Sequence, residues 1–168
     1  MPATAKPTRR GAGRSTYART APSPSKAPRS KRLRQFQLPT DRNDVELEIE
    51  GKTVKLTNLN KPFWPDLGIT KRDLIQYYAD VSPYLLPHLQ HRAMVMKRYP
   101  NGADGEWFFM KRAPVPRPAW IETCSISHAS GNVIDFPLVQ DLASLLWIVN
   151  LGCIDLNPWY ARCDDVDR

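Results

Sequence analysis

The sequence predicts an α+β fold, made mostly of antiparallel sheet with flanking helices and preceded by a disordered basic tail. Three observations predict it. Short runs with apolar and polar residues in alternation outnumber segments with helical periodicity. Most of these runs are joined by tight-turn residues, as in hairpins, and not by crossover helices. The first 40 residues lack the large apolar side chains that a core requires.

The basic character of the chain is concentrated in residues 1–40. This segment holds ten lysines or arginines and no acid, whereas the remaining residues carry 14 basic and 17 acidic side chains. Its six prolines oppose an amphipathic targeting helix, and it has no apolar run long enough for a secretory signal or membrane anchor. A polyanion-binding arm is the favoured interpretation. The alternative is a merely solvated tail.

The folded body, residues 41–168, starts with a hairpin and a helix. Apolar alternation over 45–56, with a turn near Gly51, predicts two paired strands. Residues 57–68 are rich in Asn and Pro and are expected to form a loop. Thr70, with an acidic residue three positions later, predicts a capped helix over 71–81. Pro83 is expected to open a second short helix that ends near His88.

The second half of the body is predicted to contain two hairpins, a helix and a last strand. In order these are strands 93–99 and 106–111, a Pro-rich loop or edge crossing at 113–118, strands 121–128 and 132–139, a helix that Asp141 caps and Gly152 ends, and a strand at 153–156.

The most informative segment is Lys97–Lys111, KRYPNGADGEWFFMK. Its Asn101-Gly102 pair predicts a tight turn. Alternation then sends Trp107 and Phe109 to one face of the strand and Phe108 to the other, and we expect one of these faces to enter the core. The other face would leave an aromatic ring beside cations, which suits base stacking and phosphate binding. The alternative is a core hairpin with a charged edge.

A candidate anion site lies where the predicted loop meets the first helix. Lys61 is in the loop, and Lys71 is in the first turn of the helix, where free backbone N–H groups and the helix dipole favour an anion. Asn58 could add a hydrogen bond. The alternative is that both lysines are simply solvated.

Catalytic and metal-binding motifs are not found in the sequence. It contains no nucleophile elbow, phosphate-binding glycine loop or zinc-protease motif. Of the carboxylates near the end of the sequence, Asp155 is the one on a plausible strand, and Asp164, Asp165 and Asp167 lie near the last residue. His88 and His91 are expected on the surface.

The cysteines point to a reduced environment. Cys124, Cys153 and Cys163 make an odd count, are widely spaced and include no Cys-x-x-Cys pair. A structural zinc site is therefore not expected, and a reduced, cytosolic context fits.

Three segments together resemble a known family. TNLNKPFWPDLGITKRDLIQYY (57–78), MKRYPNG…WFFMK (96–111) and DLASLLWIVNLGCIDLNPW (141–159) resemble the polymerase domain of bacterial DNA ligase D. That domain is a primase-polymerase of the archaeo-eukaryotic primase superfamily, used in non-homologous end joining with the end-binding protein Ku. The resemblance runs from about Val45 to the C-terminus.

The resemblance implies a set of site residues, carried over position by position. They are Asn58, Lys61 and Lys71 for the 5′-phosphate of a DNA break, Phe108 and Phe109 for stacking on the template, and Lys97, Arg98 and Asn157 for the incoming nucleotide. Asn157 stands where the family often has histidine, so this nucleotide contact is expected to be altered.

The family's metal-binding motif, hydrophobic-Asp-hydrophobic-Asp-Pro, would follow shortly after the equivalent of Arg168. Asp164–Asp167 resembles only its acidic lead-in. The chain is therefore expected to correspond to the N-terminal portion of the domain, with no catalytic residue and no bound metal of its own. Mg²⁺ or Mn²⁺ is expected for the complete domain.

The function implied by the resemblance is the binding of DNA ends with a 5′-phosphate, and template-dependent nucleotide addition in a complete domain. A nucleoside triphosphate, Ku and a ligase domain are the implied partners, no membrane is involved, and the location is the bacterial cytoplasm, at the nucleoid. The alternatives are a non-catalytic DNA-end-binding module and a gene fragment without function.

Overall fold

Nine short strands and two α-helices form the secondary structure of residues 36–128 and 131–165, the part of the chain that the computed structural model describes. The strands are β1 (Val45–Ile49), β2 (Lys52–Leu56), β3 (Pro62–Trp64), β4 (Ile69–Thr70), β5 (Met94–Arg98), β6 (Phe108–Met110), β7 (Thr123–Ser127), β8 (Val133–Pro137) and β9 (Cys153–Pro158). The helices are α1 (Lys71–Leu89) and α2 (Leu142–Asn150), and a 3₁₀ turn spans Pro65–Leu67.

The strands pair in four small antiparallel sheets. β1 pairs with β2, β3 with β4 and β7 with β8, and β5 lies between β6 and β9 in a three-stranded sheet. A single bridge between Ala93 and Leu138 connects the start of β5 with the end of β8. The predicted α+β class with antiparallel pairing is confirmed, although the strands form several small sheets.

The core is organised around α2. Seven consecutive residues of α2, Ala143 to Val149, are buried, and the helix packs against α1, β2 and β9. A helix that is apolar on every side is stable only when it is enclosed in this way. Asp141 caps the helix as predicted, since its side chain accepts a hydrogen bond from the backbone N–H of Ser144 at 2.9 Å. Lys52 forms an ion pair with the same carboxylate.

Helix α1 is one continuous helix, so the predicted break at Pro83 is wrong. The Thr70–Asp73 capping box begins the helix as predicted. Pro83 has no N–H to give to the carbonyl oxygen of Ala79, one turn earlier. The hydroxyl of Ser82 donates to that oxygen at 2.8 Å and replaces the missing bond. The helix therefore continues through Pro83 and Pro87 to Leu89.

Two other segments are more ordered than the sequence predicted. The expected loop 57–68 contains β3 and the 3₁₀ turn, and it is followed directly by β4. Residues 36–40, predicted to belong to the basic tail, lie against α1. Leu38 is buried, and its backbone N–H donates to the Gln76 side chain at 2.9 Å. These five residues therefore belong with the folded body, and residues 1–35 of the predicted tail lie outside the described residues.

The cysteines also differ from the expected reduced state. Cys124 of β7 and Cys163 form a disulfide, which links the segment after β9 to the β7–β8 hairpin. Cys153 is a buried free thiol, and burial raises its pKa to about 12. The odd count and wide spacing did not predict the pair, because disulfide partners are set by the folded chain.

No helix among residues 36–128 and 131–165 is both long enough and apolar enough to cross a membrane.

The role of Ser82 predicts a context-dependent loss of stability. Ser82→Ala should lower the free energy of unfolding by about 1–3 kcal/mol, because the buried carbonyl of Ala79 loses its partner. Urea denaturation measures the change. In a Pro83→Ala background, residue 83 supplies its own N–H, and the same substitution should cost much less. Equal losses in both backgrounds would contradict this explanation.

Candidate nucleic-acid interface

The pairing of β5 with β6 places two cations beside two aromatic residues, on opposite faces of the sheet. Lys97 is opposite Phe109, and Arg98 is opposite Phe108. Because side chains alternate along a strand, the two cations point in opposite directions. The Arg98 guanidinium lies 5.4 Å from the centre of the Phe108 ring. The Lys97 ammonium lies 4.2 Å from the centre of the Trp107 ring.

Both aromatic faces of this strand are open to solvent, so the expectation that one of them enters the core is wrong. Trp107, Phe108 and Phe109 are 50%, 43% and 55% exposed. The reason is position: β6 has three residues and lies at the edge of its sheet, outside the core that Met94 and Met96 of β5 help to form. Trp107 and Phe109 share one face as predicted, with ring centres 5.3 Å apart. Rings exposed beside cations suit stacking on nucleic-acid bases.

The Lys97 face borders a cavity of about 820 Å³. Phe109, Asn157 and Asp155 line the same cavity, together with side chains of α1. The Lys97 ammonium lies 3.3 Å from a carboxylate oxygen of Asp155, which also accepts a hydrogen bond from the Tyr99 hydroxyl at 2.9 Å. The hydrogen bonds of Lys97 with Tyr99 and Asp155 raise its pKa, so it stays protonated at neutral pH.

The Arg98 face borders a smaller cavity of about 280 Å³, which we call the phosphate pocket after the ligand that the sequence analysis predicts for it. Asn58, Lys61, Lys71 and Arg98 all line it. The structure thus brings together the three residues predicted for phosphate binding. It separates Arg98 from Lys97 and Asn157, with which the sequence had grouped it.

The lysines of the phosphate pocket are held by backbone carbonyls. The Lys71 ammonium donates to the carbonyl oxygen of Thr57 at 2.7 Å, and that of Lys61 donates to the carbonyl oxygen of Pro100 at 2.5 Å. The turn that carries Pro100 lies close to β3. A Cβ on Gly102 would be 3.1 Å from the carbonyl oxygens of Pro62 and Phe63, and its φ is +92°. Glycine at this position therefore permits the approach of the turn to Lys61.

The phosphate pocket has a concentrated, unpaired positive charge. Lys71 is only 5% exposed, and burial together with the nearby charges of Lys61 and Arg98 lowers its pKa to about 8, although Asp44 partly opposes the shift. None of the described residues that line the pocket is acidic. None of the ion pairs between described residues involves these three cations. Such a site favours an anionic ligand, which would supply the missing charge.

The described residues do not form a two-metal site. Within 36–128 and 131–165, no group of three or more His, Cys, Asp or Glu side chains is arranged to hold a metal ion. Asp155, the strand carboxylate noted in the sequence, forms an ion pair with Lys97 and accepts a hydrogen bond from Tyr99. Asp164 and Asp165 follow β9, and Asp167 lies outside the described residues.

Two residues of this region have roles that sequence reasoning missed. Asn150, the last residue of α2, lines the phosphate pocket and accepts a hydrogen bond from the Thr57 backbone N–H at 2.9 Å. No local pattern marks it, because its partner is 93 residues away. The placement of Arg98 could have been found, since alternation along a strand already separates it from Lys97.

Burial of Lys71 predicts a pH-dependent stability. Between its folded pKa of about 8 and the ordinary lysine value of 10.5, Lys71 is protonated in the unfolded chain and largely neutral in the folded one. The unfolded state then binds more protons, so the free energy of unfolding rises with pH, by up to about 1.4 kcal/mol per pH unit. Lys71→Met should lack this rise when urea denaturation is followed from pH 7 to 10.5. Lys55→Met, at an exposed position of β2, is the control. A wild-type curve parallel to that of Lys71→Met would disprove the effect.

Comparison with known proteins identifies the family of the chain. Residues 70–168 match the model of the LigD primase-polymerase domain. The multifunctional non-homologous end joining protein LigD of Mycolicibacterium smegmatis is 32% identical over 115 residues, which cover 68% of this chain and 15% of that protein. The bifunctional non-homologous end joining protein LigD of Bacillus subtilis is 37% identical over 104 residues, 62% of this chain and 16% of that protein.

A solved structure gives the same result. The polymerase domain of Mycobacterium tuberculosis ligase D, in complex with DNA, superposes with a TM-score of 0.62 and 32% identity, over 65% of this chain and 38% of that one. The chain thus spans only about a sixth of the curated relatives and less than half of the solved domain. The family model covers 99 of the 168 residues, including β5, β6 and β9 with their cation–aromatic pairs. The chain belongs to the LigD primase-polymerase domain family.

Proposed function

We propose that this chain binds DNA ends that carry a 5′-phosphate, in non-homologous end joining. The phosphate pocket carries the proposal. Lys61, Lys71 and Arg98 converge there without a carboxylate in the lining, and Asn58 adds a neutral polar side chain. A terminal phosphate would supply the negative charge that the pocket lacks. The names of the relatives, which are end-joining proteins, support the process.

The exposed rings are proposed to hold the template strand. Phe108 and Phe109 lie on opposite faces of β6, each beside a cation or a second ring, and neither is needed to fill the core. Stacking on such rings tolerates any base, which suits a protein that acts on breaks of arbitrary sequence. The related polymerase domain was solved in complex with DNA, which supports the same class of ligand here.

The larger cavity is proposed as the nucleotide site of a complete polymerase domain. Lys97 presents a cation at this cavity, and Asn157 and Phe109 also line it. In a complete domain these residues would orient a nucleoside triphosphate for template-dependent addition. Mg²⁺ or Mn²⁺ would neutralise the phosphates there, held by carboxylates other than those described. Ku and a ligase domain are the proposed partners of that complete protein.

A binding-only role is the second candidate function. The observation that favours it is the engagement of Asp155, whose carboxylate accepts a hydrogen bond from Tyr99 and pairs with Lys97. In that role the chain would recognise ends but would not extend them. Primer extension with Mg²⁺ or Mn²⁺ separates the two functions, because only the first predicts nucleotide addition once the domain is complete.

The phosphate pocket predicts a preference between otherwise identical DNA ends. Ends with a 5′-phosphate should bind more tightly than the same ends with a 5′-hydroxyl, since charge-assisted hydrogen bonds are worth about 1.5–3 kcal/mol each. Lys61→Ala or Lys71→Ala should remove most of the difference and leave hydroxyl-end binding nearly unchanged. Fluorescence anisotropy with labelled duplexes measures both affinities.

Phe109→Ala is the matched contrast for these lysine variants. It should weaken both kinds of end alike, by about 1–3 kcal/mol, because its ring lies on the Lys97 face of the sheet, away from the phosphate pocket. Equal binding of phosphate and hydroxyl ends by folded wild-type protein would remove the basis for the proposed function.

The basic segment predicts a salt-dependent contribution. Its ten lysines and arginines all precede Phe36, so deleting residues 1–35 removes all of them and keeps residues 36–40, which lie against α1. The deletion should weaken binding to all DNA and flatten the plot of log K against log salt, by roughly 0.9 for each phosphate that the segment neutralises on duplex DNA. Titrations at several salt concentrations measure the slope. An unchanged slope would show that these cations do not contact DNA.

A further inference from the structure

We propose that Arg98 is the third phosphate-binding cation of the phosphate pocket, and that it couples phosphate binding to the Phe108 ring. The inference rests on the proposed function and deepens it. It assigns Arg98 to the 5′-phosphate and not to the nucleotide, and it makes the phosphate and template sites energetically dependent on each other.

The contacts of Arg98 place its guanidinium between the two sites. Its Nε donates to the carbonyl oxygen of Leu151 at 2.8 Å, just after α2. The guanidinium lies 5.4 Å from the centre of the Phe108 ring, and Nη1 lies 3.6 Å from the sulfur of Met110. The arginine side chain has five N–H groups, and its bonds to residues within 36–128 and 131–165 use two of them. The remaining donors are available to a ligand in the pocket that Arg98 lines.

The charge of the pocket favours a terminal phosphate over an internal one. A terminal phosphate monoester carries about −1.5 to −2 charges at pH 7, whereas each internal phosphodiester carries −1. Two buried or half-buried cations, Lys71 and Arg98, together with Lys61, exceed what one diester can neutralise. Arginine also presents paired N–H groups that match two phosphate oxygens, which a lysine ammonium cannot do. Arg98 is therefore placed to add selectivity as well as affinity.

The coupling follows from the shared guanidinium. A phosphate that bonds to Arg98 restricts its rotation, and the Phe108 ring that packs against it is restricted as well. The Phe108 ring then has less conformational entropy left to lose when a base stacks on it, so stacking is more favourable. The contribution of Phe108 to binding should accordingly be greater on ends that carry a phosphate.

The test measures the affinity of the full chain for recessed DNA ends with a 5′-phosphate or a 5′-hydroxyl. The variants are Arg98→Gln, Arg98→Lys and Phe108→Leu, with Arg112→Gln as the matched control. Arg112 is exposed and donates to the Val133 carbonyl at 3.2 Å, and it does not line the phosphate pocket. Thermal melting by circular dichroism confirms that each variant is folded. Arg98→Lys retains the charge and the apolar stem, so it keeps the test valid if Arg98→Gln unfolds.

We expect Arg98→Gln to reduce the preference for phosphate ends about tenfold, and Arg112→Gln to leave that preference unchanged. In wild type, Phe108→Leu should weaken phosphate ends more than hydroxyl ends. In the Arg98→Gln and Arg98→Lys backgrounds, Phe108→Leu should weaken binding to phosphate ends and to hydroxyl ends by the same factor, so the Phe108 excess should disappear.

Two outcomes overturn the inference, and they are distinguishable. If wild type prefers phosphate ends and both Arg98 variants keep the full preference and the full Phe108 excess, Arg98 has no part in recognition, and the lysines alone form the site. If wild type shows no preference for phosphate ends, the proposed function fails, and the role of Arg98 fails with it.

Discussion

The register of β5 is the constraint on which the rest of the site depends. β5 is the middle strand of its sheet, hydrogen-bonded to β6 on one side and to β9 on the other. Its central position prevents it from sliding or rotating, so Lys97 and Arg98 are fixed on opposite faces. One face meets the large cavity, and the other meets the phosphate pocket. A slip of one residue would move each cation to the opposite face of the sheet.

The end of α2 brings the separate parts of the phosphate pocket together. Asn150 and Leu151 hold Thr57 and Arg98 through hydrogen bonds, and Gly152 accepts a bond from the Tyr99 backbone N–H at 2.7 Å. Gly152 has a φ of +83°, and a Cβ on it would lie 3.1 Å from the Tyr99 carbonyl oxygen. Because α2 is buried along its length, its end is a rigid reference point for the pocket.

The cations of the pocket illustrate a compromise between stability and binding. A buried lysine without a carboxylate partner destabilises the folded chain. The lowered pKa of Lys71 shows this, because burial makes the protonated form less favourable in the folded state than in water. A carboxylate in the lining would relieve it, but would also repel a phosphate. The structure instead uses backbone carbonyls, which hold Lys61 and Lys71 in place without cancelling their charge. Sites built in this way are ready for an anion before it arrives.

The sequence alone determined the features that depend on neighbours along the chain. Alternation, turn residues and caps located the β1–β2, β5–β6 and β7–β8 hairpins and both helix starts, and three motifs identified the family. Only the tertiary structure decided the rest, because it depends on contacts between distant residues. The Ser82 hydroxyl lets α1 pass Pro83, Cys124 pairs with Cys163, and the edge position of β6 exposes both of its aromatic faces. Arg98 joins the lysines of the phosphate pocket for the same reason: its hydrogen bond to the Leu151 carbonyl, just after α2, and not its sequence proximity to Lys97, sets its position.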